Sequence, residues 1–387
     1  MQTRVTPFLV AVDDEAIDDL RRRVRSARWP ETATVPDWGQ GVPLNYCREL
    51  ADYWASDYDW RRCEARLNAL DNFCVSLPHG GEKHQVHFIH RRSAHENATP
   101  LLITHGWPGS VLEFTEIIDA LADPTAHGGE ADDAFHVIAP SLPGYGFSGK
   151  PTKAGTSVEA IADLWDALMD ALGYEHYVAQ GGDWGSMVTS MLGLRHPGRC
   201  VGIHLNMVVA LPDPDTLGDL SVAEQAALSA AEHYAKWDSG YSKQQSTRPQ
   251  TLGYALADSP VGQMAWIIEK FQAWTDCERD GVRHPENAVD RDAMLDNVSL
   301  YWFTNTATSS ARLYWESFNA PNLEPVNVPM GGSLFPKDIF LASERWARKR
   351  FPKLVYWNEL ERGGHFAALE QPRLFVEELR ACFRCMR

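Results

Sequence analysis

Apolar residues recur along this chain in two rhythms, one of three to four residues and one of short unbroken runs. Ile17, Leu20, Val24 and Ala27 repeat at helical spacing, and Trp29-Pro30 marks the end of that helix. Asn45 to Trp54 and Trp60 to Leu70 read as two further helices. Gln85 to Ile89 is expected to open a sheet, followed by buried strands at Leu101 to Thr104 and His136 to Ala139. A helical run from Val158 to Leu172 and an apolar run at Cys200 to Leu205 continue the alternation of strand and helix, the pattern of an α/β sheet. From about 211 to 320 the pattern is helical throughout and rich in aromatic residues. Strand-like sequence then returns at Leu354 to Trp357, and a closing helix is expected from Pro372 to Phe383. The chain divides accordingly into residues 1–95, 96–210, 211–320 and 321–387: an N-terminal extension, a first half of an α/β core, a helical insertion, and the second half of the core.

Chemistry enters at Gly181-Gly182-Asp183-Trp184-Gly185, between the apolar run Tyr177, Val178, Ala179 and the helical run Met187, Val188, Met191, Leu192. Strand, Gly-rich sharp turn and helix form the setting of a nucleophile elbow, with Asp where Ser is usual. A carboxylate in that place attacks an sp3 carbon and forms an alkyl ester, whereas Ser attacks acyl groups. The bland alternative is an Asp that caps the following helix. Bulk at Gly182 or Gly185 is expected to clash in such a turn.

Two later segments supply what the elbow needs. His365, in Gly363-Gly364-His365-Phe366, follows the strand-like run Leu354 to Trp357 and suits a general base. Asp338, 27 residues earlier, could orient its imidazole, and Glu361, Asp296 and Asp292 compete for that place. The order Asp183, Asp338, His365 matches the nucleophile, acid, base order of this kind of sheet. His105-Gly106-Trp107-Pro108 directly follows the strand Leu101 to Thr104, where one oxyanion-hole N–H is expected. The N–H groups of Trp107 and Trp184 are the candidates, and the Trp107-Pro108 bond is a candidate cis peptide.

These motifs resemble those of epoxide hydrolases in the α/β-hydrolase superfamily, specifically the microsomal-type branch. The resemblance runs through His105-Gly106-Trp107-Pro108-Gly109-Ser110, Pro143-Gly144-Tyr145-Gly146-Phe147-Ser148, Gly181-Gly182-Asp183-Trp184-Gly185 and Arg362-Gly363-Gly364-His365-Phe366-Ala367. In the extension it rests on Arg28-Trp29-Pro30, Tyr53-Trp54, Tyr58-Asp59-Trp60-Arg61 and His87-Phe88-Ile89-His90. It implies an α/β-hydrolase fold with a mostly parallel central sheet, a helical lid after the nucleophile half and an N-terminal helical extension. It also implies two lid tyrosines that hold and protonate the epoxide oxygen, matched by Tyr241 and Tyr314, with Tyr254 and Tyr301 as nearby decoys. Asp338 falls in the family's charge-relay slot. The implied reactants are a small-molecule epoxide and water, the product is a vicinal diol, and neither metal nor organic cofactor is required. The branch allows a homodimer. A haloalkane dehalogenase on the same fold, or a non-catalytic binding protein, is the competing reading.

Composition narrows the partners. A net charge of -16 over 387 residues argues against nucleic acid. Arg21-Arg22-Arg23 follows Asp13, Asp14, Glu15, Asp18 and Asp19, and acid before base fits a helix dipole better than a basic binding arm. No long apolar run and no basic, apolar leader is visible, which points to a soluble cytoplasmic protein without a membrane partner. Seven scattered Cys suit free thiols in a reducing compartment, and Cys382 and Cys385 alone make a poor metal site. His84, His87 and His90 would alternate across a strand, with His87 opposite the other two. Among 14 Trp, Trp237 lies four residues before Tyr241 and would share its helix face, as a candidate wall of the substrate pocket. The aromatic insertion suggests a bulky apolar or aryl epoxide, in detoxification or in secondary metabolism such as antibiotic biosynthesis in a bacterium.

Overall fold

The computed structural model describes residues 4–387. Among the described residues, nine strands form one sheet. Strands β1 (Thr6–Pro7), β2 (Asn72–His79), β3 (Glu82–Arg91) and β5 (Phe135–Pro140) pair antiparallel in succession. From β5 onward, β4 (Thr99–Thr104), β6 (Tyr177–Gly181), β7 (Cys200–Leu205), β10 (Met330–Leu334) and β11 (Leu354–Glu359) run parallel. The β6 and β10 residues are buried throughout, as expected of parallel strands covered on both faces.

The sheet opens earlier than the sequence suggested. Strands β1 and β2 precede the expected first strand, and β3 is longer at both ends. Asn72, Ser76 and Pro78 dilute the alternation of β2, yet its turn carries a clear signal. Gly80 and Gly81 both take positive φ, as a two-residue hairpin turn of the primed type requires.

Three helices precede the hairpin. Helix α1 (Asp14–Arg25) buries Ile17, Leu20 and Val24, with acids in its first turn and arginines in its last. It stops at Ser26, about one turn before Trp29-Pro30, so proline is not what ends it. Helices α2 (Leu44–Ser56) and α3 (Trp60–Asn68) follow, α3 capped by the Asp59 side chain on the Arg61 N–H. Helices α4 (Ile118–Ala122), α5 (Val158–Ala171) and α6 (Asp183–Arg195) connect the parallel strands. Between β7 and β10 lie α7 (Val222–His233), α8 (Gly240–Thr247), α9 (Pro249–Asp258), α10 (Pro260–Trp274), α11 (Arg291–Thr304) and α12 (Ala307–Ser317). A short hairpin, β8 (Glu278–Arg279) with β9 (Val282–Arg283), interrupts them. Helices α13 (Glu344–Arg350), α14 (Ala367–Glu370) and α15 (Pro372–Arg384) complete the chain. Among the described residues, no helix is long and apolar enough to cross a membrane.

The first three helices brace the insertion rather than the sheet alone. The Trp54 indole N–H donates to Ser299 Oγ at 2.9 Å and the Tyr58 hydroxyl to Asp296 Oδ1 at 2.6 Å, both across to α11. Helix α11 in turn grips the loop after β4. Asn297 donates to the Pro108 carbonyl at 2.7 Å and the Tyr301 hydroxyl to the Gly109 carbonyl at 2.8 Å. Arg23, Arg22 and Asp19 pair within α1, which fits the reading of that cluster as a helix and not a binding arm.

Candidate active site

Asp183 sits at the tip between β6 and α6 with φ of 49°, a left-handed conformation that costs a non-glycine residue energy and is found where function demands it. Its neighbours must be small. A Cβ on Gly185 would lie 1.9 Å from the Thr104 carbonyl oxygen, one on Gly181 2.1 Å from the Gly185 carbonyl, and one on Gly182 2.6 Å from the Asn206 amide. A Cβ on Gly106 would lie 2.1 Å from Asp183 Oδ1, so the loop after β4 passes directly against the carboxylate. The Trp107 backbone N–H uses that approach to donate to Asp183 Oδ1 at 2.7 Å. The Trp107-Pro108 peptide is cis. The Trp184 N–H belongs to the first turn of α6, where backbone donors have no partner within the helix.

His365 follows β11 and Asp338 follows β10, so the two lie side by side beyond the ends of neighbouring parallel strands. His365 Nδ1 is 2.7 Å from Asp338 Oδ1, and its Nε2 is 3.4 Å from Asp183 Oδ2. All three side chains are nearly or fully buried. Burial alone would lower the His365 pKa, but the charges and hydrogen bonds of Asp338 and Asp183 outweigh it and hold the imidazole well above its usual range. The competing acids are engaged elsewhere: Asp296 with Arg66 and Tyr58, Asp292 with Arg62 and Tyr53, while Glu361 is exposed.

Above the carboxylate stands an aromatic cluster. Tyr241 stacks on Trp107 with centroids 5.0 Å apart and packs against Trp274 at 5.1 Å. Tyr314 meets Trp184 edge-on at 4.8 Å and Tyr241 at 5.7 Å. Burial, reinforced by neighbouring tyrosines and Asp183, raises both phenols well above their usual range, so both remain hydrogen-bond donors at neutral pH. Tyr241 accepts a hydrogen bond from the Tyr234 hydroxyl at 3.1 Å, whereas the buried Tyr314 hydroxyl has no partner among the described residues. Tyr254 is 72 % exposed and Tyr301 is committed to Gly109, which removes both decoys from the cluster.

Trp237 departs from expectation. It is 70 % exposed and carries Lys236 over its ring, while Tyr241 is buried. The two do not share a helix face because Tyr234–Asp238 forms a π-helical turn and Ser239 separates it from α8. The extra residue per turn rotates Trp237 to solvent, so it forms no wall of this site.

Several roles escaped the sequence reading. His105 is wholly buried, and burial lowers its pKa to about 4. Its Nε2 accepts the Leu142 N–H at 3.2 Å, so Nδ1 carries the proton and donates to the Gly106 carbonyl, bracing the loop. Lys270 is buried, with Nζ 4.6 Å from the Tyr241 ring centre and 2.6 Å from Glu269. Trp274 ties the insertion to the His365 loop: its carbonyl accepts the His365 N–H at 2.9 Å. A cavity of about 20 Å³, enough for about one water, lies beside Asp183 and His365 and is also lined by Glu113. Two of the three strand histidines are held in structural contacts, His87 between Ser141 and Asn72 and His90 against Tyr174.

Comparison with known proteins bears on the family and the fold. Residues 5–114 match the family model described as epoxide hydrolase N terminus, and residues 99–252 match that of the alpha/beta hydrolase fold. A Stigmatella aurantiaca protein, provisionally named an epoxide hydrolase, is 54 % identical over 99 % of this chain and 86 % of its own length. Epoxide hydrolase 1 of Sus scrofa is 36 % identical over 97 % of this chain and 88 % of its own. The structure of Aspergillus niger epoxide hydrolase superposes with a TM-score of 0.88 at 32 % identity, covering 100 % of this chain and 97 % of that one. Juvenile hormone epoxide hydrolase from Bombyx mori superposes with a TM-score of 0.90 at 30 % identity, covering 100 % and 95 %. Fold, N-terminal segment and full-length relatives point one way, and the chain belongs to the epoxide hydrolase family of the α/β-hydrolase fold.

Proposed function

We propose that Asp183 is the nucleophile of a two-step epoxide hydrolysis. The observation that carries this reading is the alignment of Asp183, His365 and Asp338 beneath two buried phenols. Tyr241 and Tyr314 hydrogen-bond the epoxide oxygen, and Asp183 attacks a ring carbon from the opposite side. The C–O bond of the ring breaks, and a phenol protonates the developing alkoxide, which is otherwise a poor leaving group near neutral pH. An ester now joins Asp183 to the substrate. Its formation removes the Asp183 charge, one of the two that raise His365, and so favours the neutral imidazole that a base must be. His365, oriented by Asp338, takes a proton from water, which attacks the ester carbonyl. The N–H groups of Trp107 and Trp184 hold the oxyanion. The ester bond breaks, the diol leaves with the proton returned by His365, and the second proton of the water passes from Asp183 to the phenolate, so that nucleophile and phenol are both restored.

The substrate we infer is apolar and bulky or aryl, because Trp107, Trp184, Trp274 and the two tyrosines offer rings rather than charges. Such a molecule needs more room than the cavity of about 20 Å³ beside Asp183, so binding displaces part of the aromatic cluster. The insertion between β7 and β10, residues 211–320, acts in this reading as the lid. A dehalogenase would use the same carboxylate, but two phenols poised to protonate an alkoxide favour the epoxide. Incubation with styrene oxide and, separately, with chloroalkanes decides between them. Diol formation lost in Asp183→Asn supports the proposal. Halide release without diol formation would replace it.

A further inference from the structure

The mechanism requires a water beside the Asp183 ester, and Glu113 lines the small cavity that Asp183 and His365 share. The small cavity beside Asp183 and His365 is lined by Gly106, Trp107, Gly109 and Glu113 as well. The Glu113 carboxyl lies over the backbone of Gly109: a Cβ there would fall 1.6 Å from Glu113 Oε1. Gly109 therefore makes room for Glu113, as Gly106, three residues earlier in the same loop, makes room for Asp183. Glu113 is partly accessible because its other side lines a second cleft of about 400 Å³. That cleft has a polar rim that includes Arg66, Glu116, Glu286 and Asp290, and it shares Gly109 and Glu113 with the catalytic cavity. Glu113 and Gly109 thus form the wall shared by the catalytic cavity and the wider polar-rimmed cleft.

We propose that Glu113 is a positioning residue for the hydrolytic step, holding the attacking water against His365 Nε2. The proposal rests on the covalent route through Asp183. The water gives one proton to His365, and its oxygen bonds to the Asp183 carboxyl carbon. Its second hydrogen is donated to a Glu113 oxygen, which neither gains nor loses a proton over the cycle. The tetrahedral adduct then breaks its bond to the diol oxygen, which takes the proton from His365. Burial, against the pull of His365 and with the push of Asp183, raises the Glu113 carboxyl to about 8. A neutral carboxyl offers the water an acceptor without placing a second negative charge beside the oxyanion. Cleft water reaches the site past this side chain, without crossing the aromatic cluster that receives the substrate.

The test is single-turnover kinetics with styrene oxide on the full chain, comparing Glu113→Gln and Glu113→Met. Tryptophan fluorescence follows both steps, and intact-protein mass reports the ester. Gln keeps a neutral acceptor oxygen, and Met keeps the volume without it. The expected result is unchanged ester formation in both variants. Ester decay slows about 100-fold in Glu113→Met, as for a misplaced reactant, and stays near wild type in Glu113→Gln. Equal slowing of both steps in Glu113→Met, unaltered decay in that variant, or Glu113→Gln stalling like Glu113→Met would overturn the proposal. Wild-type enzyme that never shows an ester would refute the covalent route itself. An ester in wild type with normal decay in Glu113→Met would refute only the role of Glu113.

Discussion

Replacing Tyr314 by Phe separates function from stability in a direction the structure dictates. The Tyr314 hydroxyl is buried and has no hydrogen-bond partner among the described residues. An unsatisfied buried polar group costs about 1–3 kcal/mol, so deleting it stabilises the fold by up to that amount. At roughly 2.1 cal/mol/K of unfolding entropy per residue over 387 residues, this corresponds to a Tm rise of about 1–4 °C. The same deletion removes one of two donors to the developing alkoxide. Losing one such donor costs on the order of 10²–10³ in rate, about 2.7–4 kcal/mol of transition-state stabilisation. Tyr241→Phe differs because its hydroxyl accepts from Tyr234 at 3.1 Å, and its loss leaves Tyr234 only Ser242 at 3.3 Å. That variant should lose about 1 kcal/mol of stability while suffering a similar rate defect. Scanning calorimetry and stopped-flow fluorescence on the two variants give all four values. Unimpaired ester formation in Tyr314→Phe, or a lowered Tm in that variant, would refute the reasoning.

Asp338→Asn removes a charge that raises His365, so the imidazole pKa falls and the acid limb of the ester-hydrolysis rate moves to lower pH. The plateau falls on the order of 10⁴-fold as the imidazole loses its orienting carboxylate; a pH–rate profile of the second step with the acid limb unmoved would contradict this. Gly185→Ala drives a methyl group to 1.9 Å from the Thr104 carbonyl and should cost about 3 kcal/mol or more, whereas Gly198→Ala, with nothing nearby, should be near neutral in urea unfolding. Trp237→Ala should leave regiochemistry and substrate preference unchanged in product analysis by chiral chromatography, since that ring faces solvent.

How much was legible in the sequence follows from where each signal is written. The elbow is local: three glycines around one Asp between a strand and a helix state both the turn and its crowding, and the structure supplies the 1.9 Å and 2.6 Å reasons. The choice of acid was not local. Asp296 and Asp292 are removed from contention by Arg66, Tyr58, Arg62 and Tyr53, partners some 230 to 239 positions away in the chain. Spacing carries no trace of such contacts. Trp237 failed for a different reason. A four-residue interval places side chains together only in an uninterrupted α-helix, and the π-turn at Tyr234–Asp238 breaks that phase. The first strands were missed although Gly80-Gly81 announced a hairpin, because polar residues diluted the alternation beside it. Glu113 had a readable signal as well. It lies four residues after Gly109, and the missing side chain at Gly109 is the space that its carboxyl occupies.

The most direct test of the covalent route is a single turnover of styrene oxide in heavy-oxygen water with enzyme in excess, followed by mass spectrometry of the diol and of the peptide that contains Asp183. Attack of water on the ester carbonyl predicts heavy oxygen in Asp183 and none in the first diol formed. Heavy oxygen in that diol, with Asp183 unlabelled, would show that water opens the epoxide itself and that no ester forms.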